Sequence, residues 1–208
     1  MDESVARAAT LKLLGGRPSL DFANTADWQA SEQPVEFLTS YAELVAWSQH
    51  AGILTPPQGG QLLQSAALDP LYAAAILERA IALREAIYRI FSAISHGHLP
   101  QAPDLAVYNA ELSRMLTRVQ IALEGEEFSW VWGGAGDALD RMLWPVVHDA
   151  ADLLTSPDLD RVGQCTDDRC GWLFLDMSRN RSRRWCSMED CGNRAKARQH
   201  YQRSRLQA

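Results

Sequence analysis

Four cysteines near the end of the chain constrain its fold more than any other feature. They form two pairs with equal spacing, Cys165 with Cys170 and Cys186 with Cys191, and they are the only cysteines among 208 residues. Two close pairs separated by a spacer of this length are typical of a structural zinc site, in which each pair forms one turn that presents two thiolates. The sequence therefore predicts a four-cysteine site with zinc as the cofactor.

Other uses of the four thiols are disulfide bonding, binding of another metal and redox reactivity. Two disulfides would require an oxidising compartment, whereas residues 1–17 lack the apolar segment of a signal peptide. In the predicted zinc site all four ligands come from the protein, so no position remains for water or substrate. Such a site would stabilise a fold without catalysing a reaction.

The charge of the chain changes sign close to the cysteines. From residue 161 onward there are 11 Lys and Arg against 5 Asp and Glu, whereas residues 1–160 carry 9 against 21. The net charge of −6 therefore combines an acidic first domain with a basic C-terminal segment. This asymmetry favours a polyanion-binding surface, and most of its cations are Arg, which forms bidentate contacts with phosphate and guanine.

Two basic clusters flank the second cysteine pair and predict a DNA-binding surface. The sequence after Cys191 favours a helix with Asp190 as its N-cap and with almost no apolar stripe. The alternative is a solvated tail that helps to neutralise the negative charge of a zinc tetrathiolate. The loop between Cys170 and Cys186 is called the spacer loop. The candidate nucleic-acid-binding residues are Arg179, Arg181, Arg183 and Arg184 in the spacer loop, and Arg194, Lys196, Arg198, Arg203 and Arg205 in the helix.

Two motifs resemble those of a known bacterial family. Residues 161–205, with Cys-Gly-Asn-Arg at 191–194, resemble the CGNR-type zinc finger, and Gly-Gly-Arg-Pro-Ser-Leu-Asp-Phe-Ala-Asn-Thr at 15–25 resembles the opening of the ABATE domain that precedes it. The resemblance implies a stress-linked transcription regulator. It also supports a ligand pocket at Arg17, Asp21 and Asn24, although these residue types by themselves favour turn and capping hydrogen bonds.

The expected fold is mainly α with a small β component. It consists of a helical domain over residues 1–160, for ligand sensing or dimerisation, and a treble-clef-like zinc finger over residues 161–208. Residues 10–14 and 171–176 are predicted to be strands, and His148 a hydrogen-bonded core residue. Apolar periodicity predicts helices over 34–50, 58–67, 70–95, 104–116 and 137–154, and a hairpin of 119–123 with 128–132.

The functional prediction is a cytoplasmic transcription regulator that binds DNA through its finger. A small-molecule effector and a second copy of the chain are the other expected partners, and no apolar run reaches the roughly 20 residues of a membrane helix. We expect no enzymatic activity, because nucleophile elbows, open metal motifs and paired carboxylates are missing from the sequence. The alternative is a zinc-stabilised adaptor or RNA-associated protein that does not bind DNA.

Overall fold

Seven helices and three small hairpins make up the regular structure of the described residues. The computed structural model describes residues 7–27, 29, 31–134, 136 and 138–206. Its elements are α1 (Pro18–Ala23), β1 (Ala26–Asp27), β2 (Val35–Glu36), α2 (Tyr41–His50), α3 (Pro56–Leu68), α4 (Pro70–Ser95), α5 (Ala102–Leu116), β3 (Val119–Glu124), β4 (Glu127–Trp132), α6 (Leu143–Thr155), a 3-10 turn (Pro157–Arg161), β5 (Val162–Gln164), β6 (Leu173–Leu175), a π turn (Met188–Gly192) and α7 (Asn193–Leu206). In the described part of the chain, none of the helices combines the length and the apolar character needed to cross a membrane.

Local capping signals set where the helices begin. The Asp69 side chain accepts a hydrogen bond from the Tyr72 N–H at 3.0 Å, and Pro70 occupies the first turn of α4, where its missing N–H has no cost. Thr55 and Gln58 form a capping box at the start of α3. The predicted helix over 70–95 is confirmed at both ends, and Asp69 and Pro70 explain its start.

Helix α4 lies at the centre of the main core. Helices α1, α2, α3 and α5 contact it, and α6 packs against α1 and α5. Leu77, Tyr88 and Ile94 lie at the margins of the buried face of α4 and are only partly buried. The fully buried side chains of α4 are Ala73, Ile76, Ala80, Leu83, Arg84, Ala86, Ile87, Ile90 and Phe91.

The hairpin of the finger is part of this same core. Strands β5 and β6 pair antiparallel, and Val162, Leu173 and Leu175 are buried among side chains of the helical domain. The short joint at 157–161 therefore connects two segments that pack together.

Three predicted elements differ from the structure. Residues 10–14 form no strand, and the helix predicted over 34–50 begins at Tyr41. Residues 34–38 are extended instead, because the Glu36 carboxylate accepts hydrogen bonds from the Leu38 N–H and from Arg84. The helix predicted over 137–154 begins at Leu143, and Asp137 itself lies outside the described residues.

The prediction that His148 is a core residue was wrong. Its side chain is exposed on α6 and contacts the Trp132 ring edge-on, with ring centroids 6.3 Å apart.

The β3–β4 hairpin forms as predicted, with six antiparallel residue pairs from Val119↔Trp132 to Glu124↔Glu127.

Candidate metal centre and nucleic-acid interface

The first cysteine pair lies in the turn that joins β5 to β6. Cys165 follows β5 directly, and its N–H donates to the Trp172 carbonyl at 2.8 Å, which extends the hairpin ladder by one bond. The Cys170 N–H donates to the Asp167 carbonyl at 3.1 Å and so tightens the turn. These bonds hold both thiols on the same side of the hairpin.

The second pair brackets the start of the C-terminal helix: Cys186 directly precedes Ser187, the cap of the π turn, and Cys191 lies within that turn. Ser187, and not Asp190 as predicted, is the cap, since its hydroxyl accepts the Asp190 N–H at 3.3 Å. The Asp190 carboxylate instead pairs with Lys12 at 2.6 Å. Gly192 leaves room for the Met188 side chain, whose Sδ atom would lie 2.8 Å from a Cβ at this position.

The two turns bring all four thiols together. The Sγ atoms of Cys165, Cys170, Cys186 and Cys191 lie within 4.8 Å of one another, and all four residues are buried. The Cys170–Cys186 and Cys186–Cys191 Sγ distances are 3.6 and 3.5 Å, too long for disulfide bonds of about 2.05 Å. A tetrahedral zinc with Zn–S bonds of about 2.3 Å requires sulfur atoms about 3.8 Å apart. The cluster is therefore a metal-binding site whose dimensions fit zinc.

One arginine contacts the thiols directly, because the Arg194 Nη2 atom donates to the Cys191 Sγ atom at 2.9 Å. A cavity of about 240 Å³ beside the cluster is lined by Arg194 and Lys12 and also by Asp27 and Asp190, the second of which pairs with Lys12. Arg194 therefore offsets part of the negative charge that four thiolates leave on a divalent metal.

The Cys-Gly-Asn-Arg motif has a role for each residue. Cys191 supplies a thiol, Gly192 allows the close approach of Met188, and the Asn193 side-chain amide donates to the Glu189 carbonyl at 3.0 Å. Arg194 contacts both the Cys191 sulfur and the Asp167 carboxylate, the latter at 3.4 Å.

Buried Asp167 connects the C-terminal helix to the first cysteine turn. Its carboxylate accepts a hydrogen bond from Arg198 at 2.9 Å in addition to its contact with Arg194. Arg198 also lies 3.8 Å from the Asp168 carboxylate. The Asp167 carboxylate, from the turn of the first cysteine pair, therefore holds two successive turns at the start of α7.

Comparison with protein families agrees with both motifs. A model of the ABATE family, described as "Putative stress-induced transcription regulator", matches residues 16–157. The chain belongs to the ABATE family. A model of the CGNR zinc finger matches residues 161–204, which confirms the second resemblance. Among curated proteins, the search finds no match to this ABATE chain.

The opening motif of the ABATE region lies against the finger. The Asn24 side chain donates to the Leu173 carbonyl at 2.9 Å and accepts the Leu173 N–H at 2.8 Å. The Leu175 N–H donates to the Gly15 carbonyl at 2.8 Å, and the Trp172 indole donates to the Ala26 carbonyl at 3.2 Å. The edge of β6 that does not pair with β5 is thus covered by the ABATE motif.

The predicted ligand residues of this motif are bound to other parts of the protein. Arg17 pairs with Asp149, at 2.7 Å, and with Asp152. Asp21 accepts the Gly15 N–H at 2.7 Å, and burial raises its pKa to about 6.

Ligand binding by Arg17, Asp21 and Asn24 stays a prediction, and these contacts give the three residues a structural role. A cavity of about 560 Å³ lies elsewhere, lined by residues that include Glu36, Arg84, Glu85, Tyr88 and Arg89. The sequence did not predict this cavity, because these lining residues come from β2 and the middle of α4.

Arg183 differs most from its predicted role as a phosphate contact. Its guanidinium lies 4.2 Å from the centre of the Phe174 ring and uses four of its five N–H donors on backbone carbonyls. This arrangement fixes the spacer loop to β6 and to the N-terminal segment. The accepting carbonyls belong to Leu14, Leu175, Trp185 and Cys186.

The other predicted nucleic-acid residues fall into two groups. Arg181, Arg194 and Arg198 pair with the carboxylates of Asp160 and Asp167 while remaining partly exposed. The second group consists of exposed side chains for which the described residues provide no carboxylate partner. Its members are Arg179, Arg184, Lys196, Arg203 and Arg205.

A polar groove lies between the spacer loop and α7. It has a volume of about 420 Å³ and is lined by Arg184, Lys196, Gln199 and Gln202, together with the half-buried Trp185. The Arg184 guanidinium lies 5.3 Å from the centre of the Trp185 ring. Donors, amides and an aromatic edge are the groups that contact phosphates and bases in nucleic-acid complexes.

Proposed function

We propose that this ABATE protein is a cytoplasmic transcription regulator whose zinc-loaded finger binds duplex DNA. The observation that carries the proposal is the set of five exposed cations on the spacer loop and α7, which have no carboxylate partner among the described residues. Cations of this kind can exchange water and counterions for DNA phosphates without first breaking an ion pair.

The metal site explains how such a polar helix is held in place. Helix α7 offers almost no apolar surface, so its docking depends on Cys191 and on the ion pairs of Asp167 with Arg194 and Arg198. Zinc, when bound by the four cysteines, fixes the turn from which the helix starts. The far side of the helix, which includes Lys196 and Arg203, then faces solvent and is available to a duplex.

The finger packs against the helical domain, which in this proposal has no catalytic role. A small-molecule effector that binds this domain could change DNA binding through the shared core of Val162, Leu173 and Leu175. The acidic character of residues 1–160 disfavours non-specific contact with DNA outside the finger.

A salt titration of DNA binding by the whole zinc-loaded protein tests the proposal. If about five cations each neutralise one phosphate, the slope of log affinity against log salt is about −4 to −5. Lys196→Ala and Arg203→Ala should each weaken binding to every sequence and reduce the slope by about 0.9. Arg114→Ala, which removes one positive charge from α5, is the matched control and should leave the slope unchanged.

The alternative role predicts a different result. If the protein binds single-stranded RNA but no duplex at low salt with zinc present, the DNA proposal is refuted and the RNA-associated role gains support. If neither nucleic acid binds, the cations of α7 serve a protein partner.

A further inference from the structure

The β3–β4 hairpin carries an apolar ladder on one of its faces. Side chains alternate between the two faces of a strand, and the register pairs Val119 with Trp132, Ile121 with Trp130 and Leu123 with Phe128. All six of these side chains lie on the same face and all are apolar. The opposite face carries the polar Gln120, Ser129, Glu124 and Glu127, as well as Ala122 and Val131.

Within the described part of the chain, only the base of the ladder is covered by other residues. Val119 and Trp132 pack against the main core, where the Trp132 and Trp144 ring centroids are 5.8 Å apart. The outer four residues extend past the core. Their exposed fractions are 55% for Ile121, 62% for Leu123, 77% for Phe128 and 72% for Trp130.

The four exposed side chains form one contiguous apolar surface. A Trp or Phe side chain buries about 150–250 Å² when it is covered, so the four side chains present on the order of 500 Å² of apolar surface. The largest apolar patch on a typical monomer has about this size and is often functional, whereas singly exposed apolar residues are normal. An isolated two-stranded hairpin is also only marginally stable in water, and it gains stability when its apolar face is covered.

We infer that this face is covered by the same face of a second copy of the chain. Two patches of about 500 Å² bury about 1,000 Å² in total, which is the lower limit of specific interfaces. A two-fold axis is the commonest symmetry of homo-oligomers and requires a surface that is complementary to itself. An apolar ladder of cross-strand pairs can meet this requirement by packing face to face on its own copy.

The charges at the two ends of the hairpin set the direction of packing. Glu124, Glu126 and Glu127 form an acidic tip, and Arg118 stands exposed at the base, next to Val119. If the two hairpins packed with their tips at the same end, the two acidic tips would lie close together and their charges would repel one another, even though Glu124 and Glu127 lie on the faces turned away from the partner. In the antiparallel arrangement each acidic tip lies over the base of its partner, where the partner copy presents its own arginine.

The interface lies outside the finger, so a dimer built this way keeps both DNA-binding surfaces free. A two-fold dimer would present two fingers to two half-sites related by the same symmetry. The inference itself rests only on the hairpin and remains testable if the DNA proposal fails.

Sedimentation equilibrium of the full-length, zinc-loaded protein over a range of concentrations tests the dimer. An interface of this size should give a dissociation constant in the micromolar range. The double variant Phe128→Glu with Trp130→Glu should weaken dimerisation by about 100-fold or more, because it places charges at the centre of the patch. The matched control is Leu68→Glu with Leu71→Glu, which changes two leucines that are 89% and 85% exposed at the corner between α3 and α4.

A charge exchange tests the antiparallel arrangement without removing the apolar ladder. Arg118→Glu and Glu126→Lys should each weaken dimerisation, and the double variant should restore it to within a few-fold of wild type. Restoration cannot come from damage to the fold, since two damaging changes would not cancel.

Three results would overturn the inference. The wild type could remain a monomer throughout the range, or the control pair could dissociate the dimer while the hairpin pair does not. Dimerisation that is insensitive to both pairs would likewise place the interface elsewhere. A far-ultraviolet circular dichroism spectrum and a urea unfolding curve for each variant show whether a loss of dimer reflects unfolding of the monomer.

Discussion

Replacing Asn24 tests whether the ABATE motif holds the finger. Asn24 and Leu173 are both buried, and their two hydrogen bonds of 2.8 and 2.9 Å cross the junction between the regions. In the Asn24→Ala variant the Leu173 N–H and carbonyl lose their partners while remaining buried. Each unsatisfied buried group costs about 1–3 kcal/mol, so the loss of both partners should lower the free energy of unfolding by about 2–6 kcal/mol. A domain of this size is stable by about 5–15 kcal/mol, so this loss is large.

Urea unfolding of the zinc-loaded protein, followed by tryptophan fluorescence and circular dichroism, measures this loss. Asn180→Ala is the control, because Asn180 is exposed in the spacer loop of the same finger. The control should change the free energy of unfolding by no more than about 0.5 kcal/mol. If Asn24→Ala is as stable as the control, the two bonds do not hold the junction and the structural role assigned to the motif is refuted.

Two further predictions concern the metal and pH. Purified protein should contain one zinc per chain by atomic emission, and Cys191→Ser should lose most of it, whereas full metal content in this variant would contradict the four-cysteine site. Burial raises the pKa of Asp21 from 3.8, its ordinary value, to about 6 in the folded protein, so folding favours the protonated carboxyl. The contribution of this carboxyl to the free energy of unfolding at acidic pH is therefore lost as the pH rises through about 6. Asp21→Asn keeps an acceptor for the Gly15 N–H and does not titrate there. Its stability relative to wild type should therefore rise by up to about 3 kcal/mol between pH 4 and pH 7 in urea titrations, and a flat difference would contradict the assigned burial.

Local signals in the sequence predicted the elements whose stability is local. Asp69 and Pro70 define the start of α4, the acidic turn at 124–127 defines the hairpin, and the cysteine spacing brings together one cluster. In each of these cases the residues that determine the structure are close together in the chain or share one chemistry.

The parts that the sequence did not predict depend on contacts between distant residues. Residue type predicts that Asn24 forms turn or capping hydrogen bonds. Only the fold shows that its side-chain amide binds Leu173, 149 positions away. The sequence does not distinguish Arg183 from the other predicted nucleic-acid-binding cations. In the fold, its guanidinium contacts four backbone carbonyls and the Phe174 ring. Charge counting gives the number of arginines but cannot show which of them are already paired.

The shared core changes what loss of the metal should do to the whole protein. If the finger were an independent module, Cys191→Ser would unfold it and spare the helical domain. Val162, Leu173 and Leu175 are instead buried in the main core, and each contributes about 1.5–3 kcal/mol when fully buried. Their combined contribution is similar to the total stability of a typical domain. Cys191→Ser or metal removal should therefore lower the stability of the helical domain as well, and unfolding of the zinc-loaded protein should be one cooperative transition. Two separate transitions, with the helical one unchanged when the metal is removed, would show that the finger and the ABATE region fold independently.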